Sequence, residues 1–322
     1  MSPRSTICSS TRKPSCSRSE RRAARPSPGG GGRGTGKAQG RDSVEERTAG
    51  SSPSGGSRTG RNLPAAIAVG VGLGALVIGT LYTVKELFLL VLVGAVGVGV
   101  VELTQAFGSR GIKVPTVPVL GGMVAMFAGA YWGGPVWLLG AFVVVVFVLL
   151  IWRMFSAGTA GYVRDATASV FILVYPPLLA GFAALLLAPG DGRERVVIFI
   201  AVTVASDIGG YIAGVLFGKH QMTVISPKKT WEGLAGSVIA CVVVGAWLVN
   251  WLMGGQFWQG ALIGALAALL ATVGDLIESM IKRDLGIKDL GSILPGHGGL
   301  MDRLDSLVTT LVPVWLLMTL FF

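Results

Sequence analysis

From about residue 63 onward the chain runs as long apolar stretches separated by short polar ones. A membrane-crossing helix needs about 20 mostly apolar residues. Between Lys113 and Arg153 lie 39 residues without a charge, too many for one crossing, and Gly133-Gly134-Pro135 breaks them into two. Between Glu232 and Asp275 lie 42 more, interrupted at Gly254-Gly255-Gln256. The same reading predicts nine spans, near residues 63–83, 87–107, 115–132, 135–152, 167–188, 196–217, 234–253, 258–281 and 304–322. The turn between the first two is marked only by Lys85 and Glu86. The fold class is therefore an all-α polytopic membrane protein of about nine transmembrane helices. Glycines such as Gly70, Gly74 and those in the Gly94–Gly99 run are expected to let helices approach closely.

Composition agrees. The chain is 52% hydrophobic and only 14% charged, with a mean hydropathy of +0.67, against about 25% charge in a soluble domain. The net charge of +10 suggests nucleic acid until it is located. Residues 1–62 carry thirteen Lys+Arg against four Asp+Glu, and the rest of the chain is nearly balanced at +1. The tail is rich in Ser, Arg, Gly and Pro, includes Gly29–Gly32, and is expected to be disordered. It has no aromatic residue on which bases could stack, so nucleic acid is not expected as a partner. It also lacks a signal-peptide core before Leu63, so the first apolar segment should be an uncleaved span. Cys8, Cys16 and Cys241 share no metal-ligand spacing.

Basic residues test the span count. With a cytoplasmic N-terminus, the inner loops carry Arg110, Lys113, Arg153, Arg164, Lys219, Lys228, Lys229, Lys282, Arg283, Lys288 and Arg303. The outer loops carry only Lys85, Arg193 and Arg195. The organisation read from this is a tail, 1–62, an N-terminal set of membrane helices, 63–195, and a C-terminal membrane region, 196–322, that holds the candidate chemistry.

Three clusters of polar residues stand out in so apolar a body. Asp207 sits inside a span, where a carboxylate is costly and marks a candidate functional site. The loop after that span reads Ser226-Pro227-Lys228-Lys229-Thr230-Trp231-Glu232-Gly233, whose adjacent lysines and hydroxyls suit phosphate oxygens. It is not a Walker A loop, because the glycine spacing is wrong. The densest cluster runs from Ser279 to Asp305, 27 residues with four basic side chains, four aspartates and one of the chain's two histidines. Asp275 and Glu278, three apart, share a helix face just upstream, and Asp302 and Asp305 repeat that spacing downstream. Pro295, Gly296, Gly298 and Gly299 argue against a regular helix between them. Carboxylates from the two helix ends could hold a hard divalent cation such as Mg²⁺ while Lys and Arg neutralise phosphates. Zinc is disfavoured, since His220 and His297 are the only histidines and no cysteine is near.

This stretch resembles the phosphatidate cytidylyltransferase (CDP-diacylglycerol synthase) family. Its motif is met at Ser279, Lys282-Arg283, Lys288-Asp289, Pro295-x-His297-Gly298-Gly299 and Asp302-Arg303-x-Asp305. The Ser226–Gly233 block and the Asp207 region are similar to the family too, so the likeness is specific over about 196–322, while 63–195 matches only in hydropathy. The resemblance implies that CTP and phosphatidate give CDP-diacylglycerol and pyrophosphate at the cytoplasmic face of the cell membrane, in a multi-span homodimer. It implies Mg²⁺, with a monovalent cation in the same site, held by aspartates that correspond to Asp275 and Asp302.

The phosphate monoester of phosphatidate is already an anion, so no strong general base is called for. The obstacle is repulsion from the triphosphate, met by charge neutralisation and positioning. Asp275 and Asp302 are then the expected metal ligands, and Lys228, Lys229, Lys282, Arg283, Lys288 and Arg303 the expected phosphate contacts. Asp289 and Asp305 would orient those cations, His297 would hydrogen-bond a phosphate, and Ser226 and Asp207 would complete the substrate site. The alternatives are another CTP-dependent lipid cytidylyltransferase or a lipid kinase. A cation-coupled transporter is disfavoured, because the charges collect at one face and not at mid-membrane.

Overall fold

The structure is a computed structural model that describes residues 63–156, 158–223, 226, 229–291 and 299–322. The tail, with Cys8 and Cys16, and the candidate residues Lys228, Pro295, Gly296, His297 and Gly298 lie outside the described residues. Nine helices and no strand occur among the described residues: α1 Leu63–Thr83, α2 Lys85–Gly108, α3 Thr116–Gly133, α4 Pro135–Ser156, α5 Tyr162–Leu187, α6 Gly192–Phe217, α7 Trp231–Met253, α8 Phe257–Asp284 and α9 Met301–Phe321. Eight of them, α2 to α9, are long and apolar enough to cross a membrane, and the remaining expected span coincides with α1.

Each helix falls on one expected span, but several run further than hydropathy suggests. α5 begins at Tyr162 and so takes in Arg164 and Asp165, while α8 continues through Lys282 and Arg283 to Asp284. α9 begins at Met301, which places both Asp302 and Asp305 on its first turns. α5 is the central helix, with two-thirds (67%) of its apolar window buried against 17% for the peripheral α4. A π turn at Val174–Leu178 interrupts α5 where Pro176 and Pro177 supply no N–H to the ladder. Six tryptophans sit exposed at helix ends: Trp132, Trp137, Trp251 and Trp258 at one end of the bundle and Trp152 and Trp231 at the other. Amphipathic rings at those levels are what the two membrane–water interfaces favour.

Contacts between loops support the alternation read from the basic residues. The Lys85 ammonium reaches the carbonyls of Pro189 and Gly190, so the α1–α2 and α5–α6 turns share one end. Gly255 and the C-terminal Phe322 meet at a turn and a helix end that the alternation also assigns to the outer side. On the opposite side Arg164 donates to Gly111 O at 2.7 Å, and the Arg110 guanidinium donates to Leu285 O, with the Nε contact at 2.6 Å. These two arginines tie the α2–α3, α4–α5 and α8–α9 connections into one surface.

Arg153 at the end of α4 is held in a buried ion pair with Asp165 at 3.0 Å, their side chains 4% and 1% exposed. The same guanidinium donates to Gly158 O and Ala160 O. Removing the cation leaves a buried carboxylate with Arg164 and the Lys113 N–H as its remaining partners. Arg153→Ala is therefore expected to lower stability by about 3 kcal/mol, and Arg153→Met with Asp165→Leu to recover much of it. Thermal unfolding of the detergent-solubilised variants checks this. A single variant as stable as the wild type would show the pair to be dispensable.

Close packing through glycine occurs at only some of the positions expected. Gly74 and Gly94 face open space, with nothing within 4 Å of an added Cβ, and within the Gly94–Gly99 run Gly99 packs on Met301 and Leu304 of α9. The tight contacts join α6, α7 and α8. A Cβ on Gly236 would sit 2.2 Å from Ala213, and one on Gly264 would sit 2.1 Å from Cys241 O. Helical periodicity marks which residues share a face but not which face finds a neighbour, so the glycines of α6–α8 were not distinguishable in advance. Cys241 itself is buried at this contact and donates to Val202 O.

Candidate active site

A cleft of about 200 Å³ lies between α6, α7 and α8, which approach one another closely through glycine. Asp207 and Tyr211 line it from α6, Ser237 from α7, and Thr272 and Asp275 from α8. Met222, Lys229 and Thr230, which follow α6, line it as well. Gln221 and Thr230 form an antiparallel bridge, Met222 N–H donates to Lys229 O at 2.9 Å, and the Thr230 hydroxyl caps α7 by accepting from Gly233 N–H. His220 and Glu232 clasp the base of the loop, Nδ1 to Oε1 at 2.6 Å. Ser226 acts here through its main chain: its carbonyl accepts from Lys229 N–H at 3.0 Å and its N–H donates to the Thr223 hydroxyl. The turn thereby holds Lys229 over the cleft, where its ammonium pairs with the Asp275 carboxylate. Burial pushes the Lys229 ammonium down to about 8, against the opposing pull of Asp305, Asp207 and Glu278.

A second polar cluster adjoins the first across the α8–α9 contact. That contact is close because Gly274 has no side chain; a Cβ there would lie 2.2 Å from Thr309 Oγ1 and 2.8 Å from Asp305 O. Lys282, one helical turn beyond Glu278, places its Nζ 2.8 Å from Glu278 Oε1 and 3.1 Å from Asp302 Oδ1. Asp302 also accepts from Gly299 N–H at 3.0 Å and Leu290 N–H at 3.2 Å, so one carboxylate holds both flanks of the α8–α9 connection. Asp305 is buried beside them and accepts from Ser306 N–H. From α5, the buried Tyr175 hydroxyl, without a hydrogen-bond partner among the described residues, lies within the field of Asp305 and Glu278.

Of the residues singled out in the sequence, Asp207, Lys229 and Asp275 thus meet in the cleft, and Lys282, Asp302 and Asp305 in the adjoining cluster. Arg283, Lys288 and Asp289 are exposed on the same side, outside the lining of the cleft. Arg303 is absent from the lining of the cleft and lines a separate, apolar cavity.

Two acidic groups take part for which the sequence pattern carries no role. Glu278, which shares a helix face with Asp275, is the second anchor of Lys282. Glu102 lies far from the motifs in sequence. It is 1% exposed, and its Oε2 accepts from Met301 N–H at 2.9 Å, capping the start of α9 from α2. Added Cβ atoms on Gly291 and Gly299 would fall 2.2 Å and 2.8 Å from this carboxylate, so these two glycines pack directly against it. The available signal was a lone acid in an otherwise apolar span.

The donor chemistry suits a hard cation, since Asp207, Asp275, Glu278, Asp302 and Asp305 all present carboxylate oxygens. No three His, Cys, Asp or Glu side chains among the described residues are gathered closely enough to hold a metal as they stand. Asp275 and Asp302 instead each face a lysine ammonium. Such paired charges can be exchanged for a cation and for phosphate oxygens without adding net charge to the site.

A polytopic helical bundle with lysines and carboxylates interleaved at one end defines a membrane enzyme that handles anionic substrates. A family model described as the cytidylyltransferase family matches residues 64–321. The chain belongs to that family. A protein of Mycobacterium leprae named phosphatidate cytidylyltransferase is 42% identical over 280 residues, covering 82% of this chain and 89% of its own length. One of Mycobacterium bovis with the same name is 40% identical over 278 residues, covering 82% and 90%. A Helicobacter pylori protein of that name is 39% identical over 161 residues, 49% of this chain and 60% of its own. The family match therefore extends through the N-terminal helices, beyond the region 196–322 where the motifs are concentrated.

Proposed function

We propose that this chain transfers the cytidylyl group of CTP to phosphatidate, giving CDP-diacylglycerol and pyrophosphate, at the cytoplasmic face of the cell membrane and as a homodimer. The observation that carries the reading is the pairing of Lys229 with Asp275 and of Lys282 with Asp302, all four within the regions where the sequence resembles the family.

In the reaction a phosphate oxygen of phosphatidate bonds to the α-phosphorus of CTP. The bond from that phosphorus to the bridging oxygen breaks, and its electron pair leaves with pyrophosphate. Lys229 and Lys282 neutralise the triphosphate, each released from its carboxylate as a phosphate takes its place. Asp275 and Asp302, freed in that exchange, would hold Mg²⁺, which when bound supplies Lewis-acid polarisation of phosphate oxygens. Tyr211 and the walls of α6 and α7 confine the base and sugar, while Lys288 and Arg283 extend the positive rim towards the aqueous side. Lys228 and His297 belong to the same motifs and are assigned to phosphate contact on that ground.

The purified protein in detergent with labelled CTP, dioleoyl phosphatidate and Mg²⁺ should yield lipid-extractable label. Chelation should lower the rate by at least about 10²-fold, and added Mg²⁺ should restore it. No labelled liponucleotide would remove the assignment. Faster turnover on a prenyl phosphate or another lipid phosphate would replace phosphatidate as the substrate.

A further inference from the structure

A second cavity, of about 420 Å³, lies on the opposite side of α9 from the lysine–carboxylate clusters. Its volume falls in the range of about 300–1,000 Å³ common for ligand sites. Phe88 and Ala95 of α2, Ala183 of α5, Phe199 of α6 and Leu304 and Leu311 of α9 are among the residues that line it. Ala183, Phe199 and Leu311 are themselves buried, so the cavity reaches into the bundle, while the exposed Leu76 marks its open side. Arg303 is the one polar side chain among the described residues that line it.

The two faces of α9 explain the separation. Leu300, Arg303, Leu304, Leu307, Val308 and Leu311 recur at helical spacing and face the cavity. Asp302 and Thr309 turn instead towards the α8 side, to Lys282 and Leu270 O. From Arg303 to Leu311 the apolar stripe extends about 12 Å along the helix. A wall without hydrogen-bonding groups rejects a nucleotide, a headgroup or ordered water, because each would lose its solvation uncompensated. It accepts hydrocarbon. A molecule seated here must therefore keep its polar end at the Arg303 mouth, one residue along the chain from Asp302.

We infer that this cavity holds an acyl chain of phosphatidate, with the lipid's phosphate at Arg303. The inference rests on the proposed reaction and adds the lipid subsite to it. Arg303 supplies the charge complement of an anionic monoester at the edge of an otherwise apolar lining. The helix thus keeps the hydrocarbon on one side and the nucleotide on the other, with the two phosphates brought together across its first turn.

The test uses the full chain in mixed micelles with a phosphatidate carrying a photoreactive group at an acyl terminus. Labelled peptides should map to the cavity-lining parts of α2 and α9. Excess dioleoyl phosphatidate should reduce that labelling at least about fivefold, and dioleoyl phosphatidylcholine by less than about twofold. Label spread over the lipid-facing helices, or equal displacement by both lipids, would overturn the inference. In kinetics, Ala95→Phe, which narrows the cavity, should raise KM for dioleoyl phosphatidate about tenfold and that for dihexanoyl phosphatidate by less than about twofold. Equal changes for both chain lengths, or none for either, would count against it. Absence of turnover on phosphatidate by the wild type would sink the proposed reaction, whereas the labelling competition reads the subsite without turnover.

Discussion

Asp302→Ala is expected to lower kcat/KM for CTP by about 10³-fold, equivalent to about 4 kcal/mol of transition-state stabilisation. The size follows from the number of jobs this carboxylate does. It faces the Lys282 ammonium and accepts from the N–H groups of Leu290 and Gly299, so its loss frees both flanks of the α8–α9 connection at once. It also removes one of the two proposed ligands for Mg²⁺. Asp302→Asn keeps an acceptor for the backbone but not the charge, and should fall between the two. Steady-state kinetics on variants matched for monodispersity decide it. An alanine variant within about fivefold of the wild type would remove Asp302 from the catalytic machinery.

Glu102→Ala should cost about 10²-fold in kcat although Glu102 touches neither substrate in the proposed reaction. Its carboxylate occupies the space that Gly291 and Gly299 leave open, and it satisfies an N–H that the first turn of α9 cannot pair internally. Truncation leaves that N–H buried without an acceptor and opens a hole where the connection is seated. Glu102 is thus a positioning residue, acting through the placement of Asp302. Glu102→Gln supplies a carbonyl oxygen to the same N–H and should restore most of kcat. That rescue, with KM for CTP nearly unchanged in both variants, separates positioning from a general loss of folded protein. Equal damage from alanine and glutamine would point to the charge itself.

The spans were legible because charge is so sparse that each uncharged stretch has only one reading in a bilayer. Their ends were less so. Hydropathy stops where charges begin, but Asp165, Lys282 and Asp302 continue their helices because each finds a partner at the membrane boundary. The clusters around Lys229 and Asp302 were legible as concentrations of unlike charge beside glycine. Which lysine meets which aspartate was not, since Lys229 and Asp275 are joined only by the close approach of α7 and α8. Glu102 shows the limit most plainly. Nothing local to α2 says that this residue meets Met301, 199 positions away; only its isolation in an apolar helix hinted at a role. The glycines mislead in the opposite sense, since Gly74 and Gly94 look like contact residues and face open space.

Membranes differ in thickness, and a bundle can respond by tilting whole or by sliding one helix along another. α6, α7 and α8 meet at Gly236, Gly245, Gly260 and Gly264 with backbone against backbone, leaving little side-chain layer along which to slide. Gly274 fixes α9 to α8 in the same way. Asp207, Asp275 and Asp302 all stand on these locked helices. A thinner or thicker bilayer should therefore tilt the block as one body, and the spacing of its three carboxylates should stay the same from one lipid composition to the next.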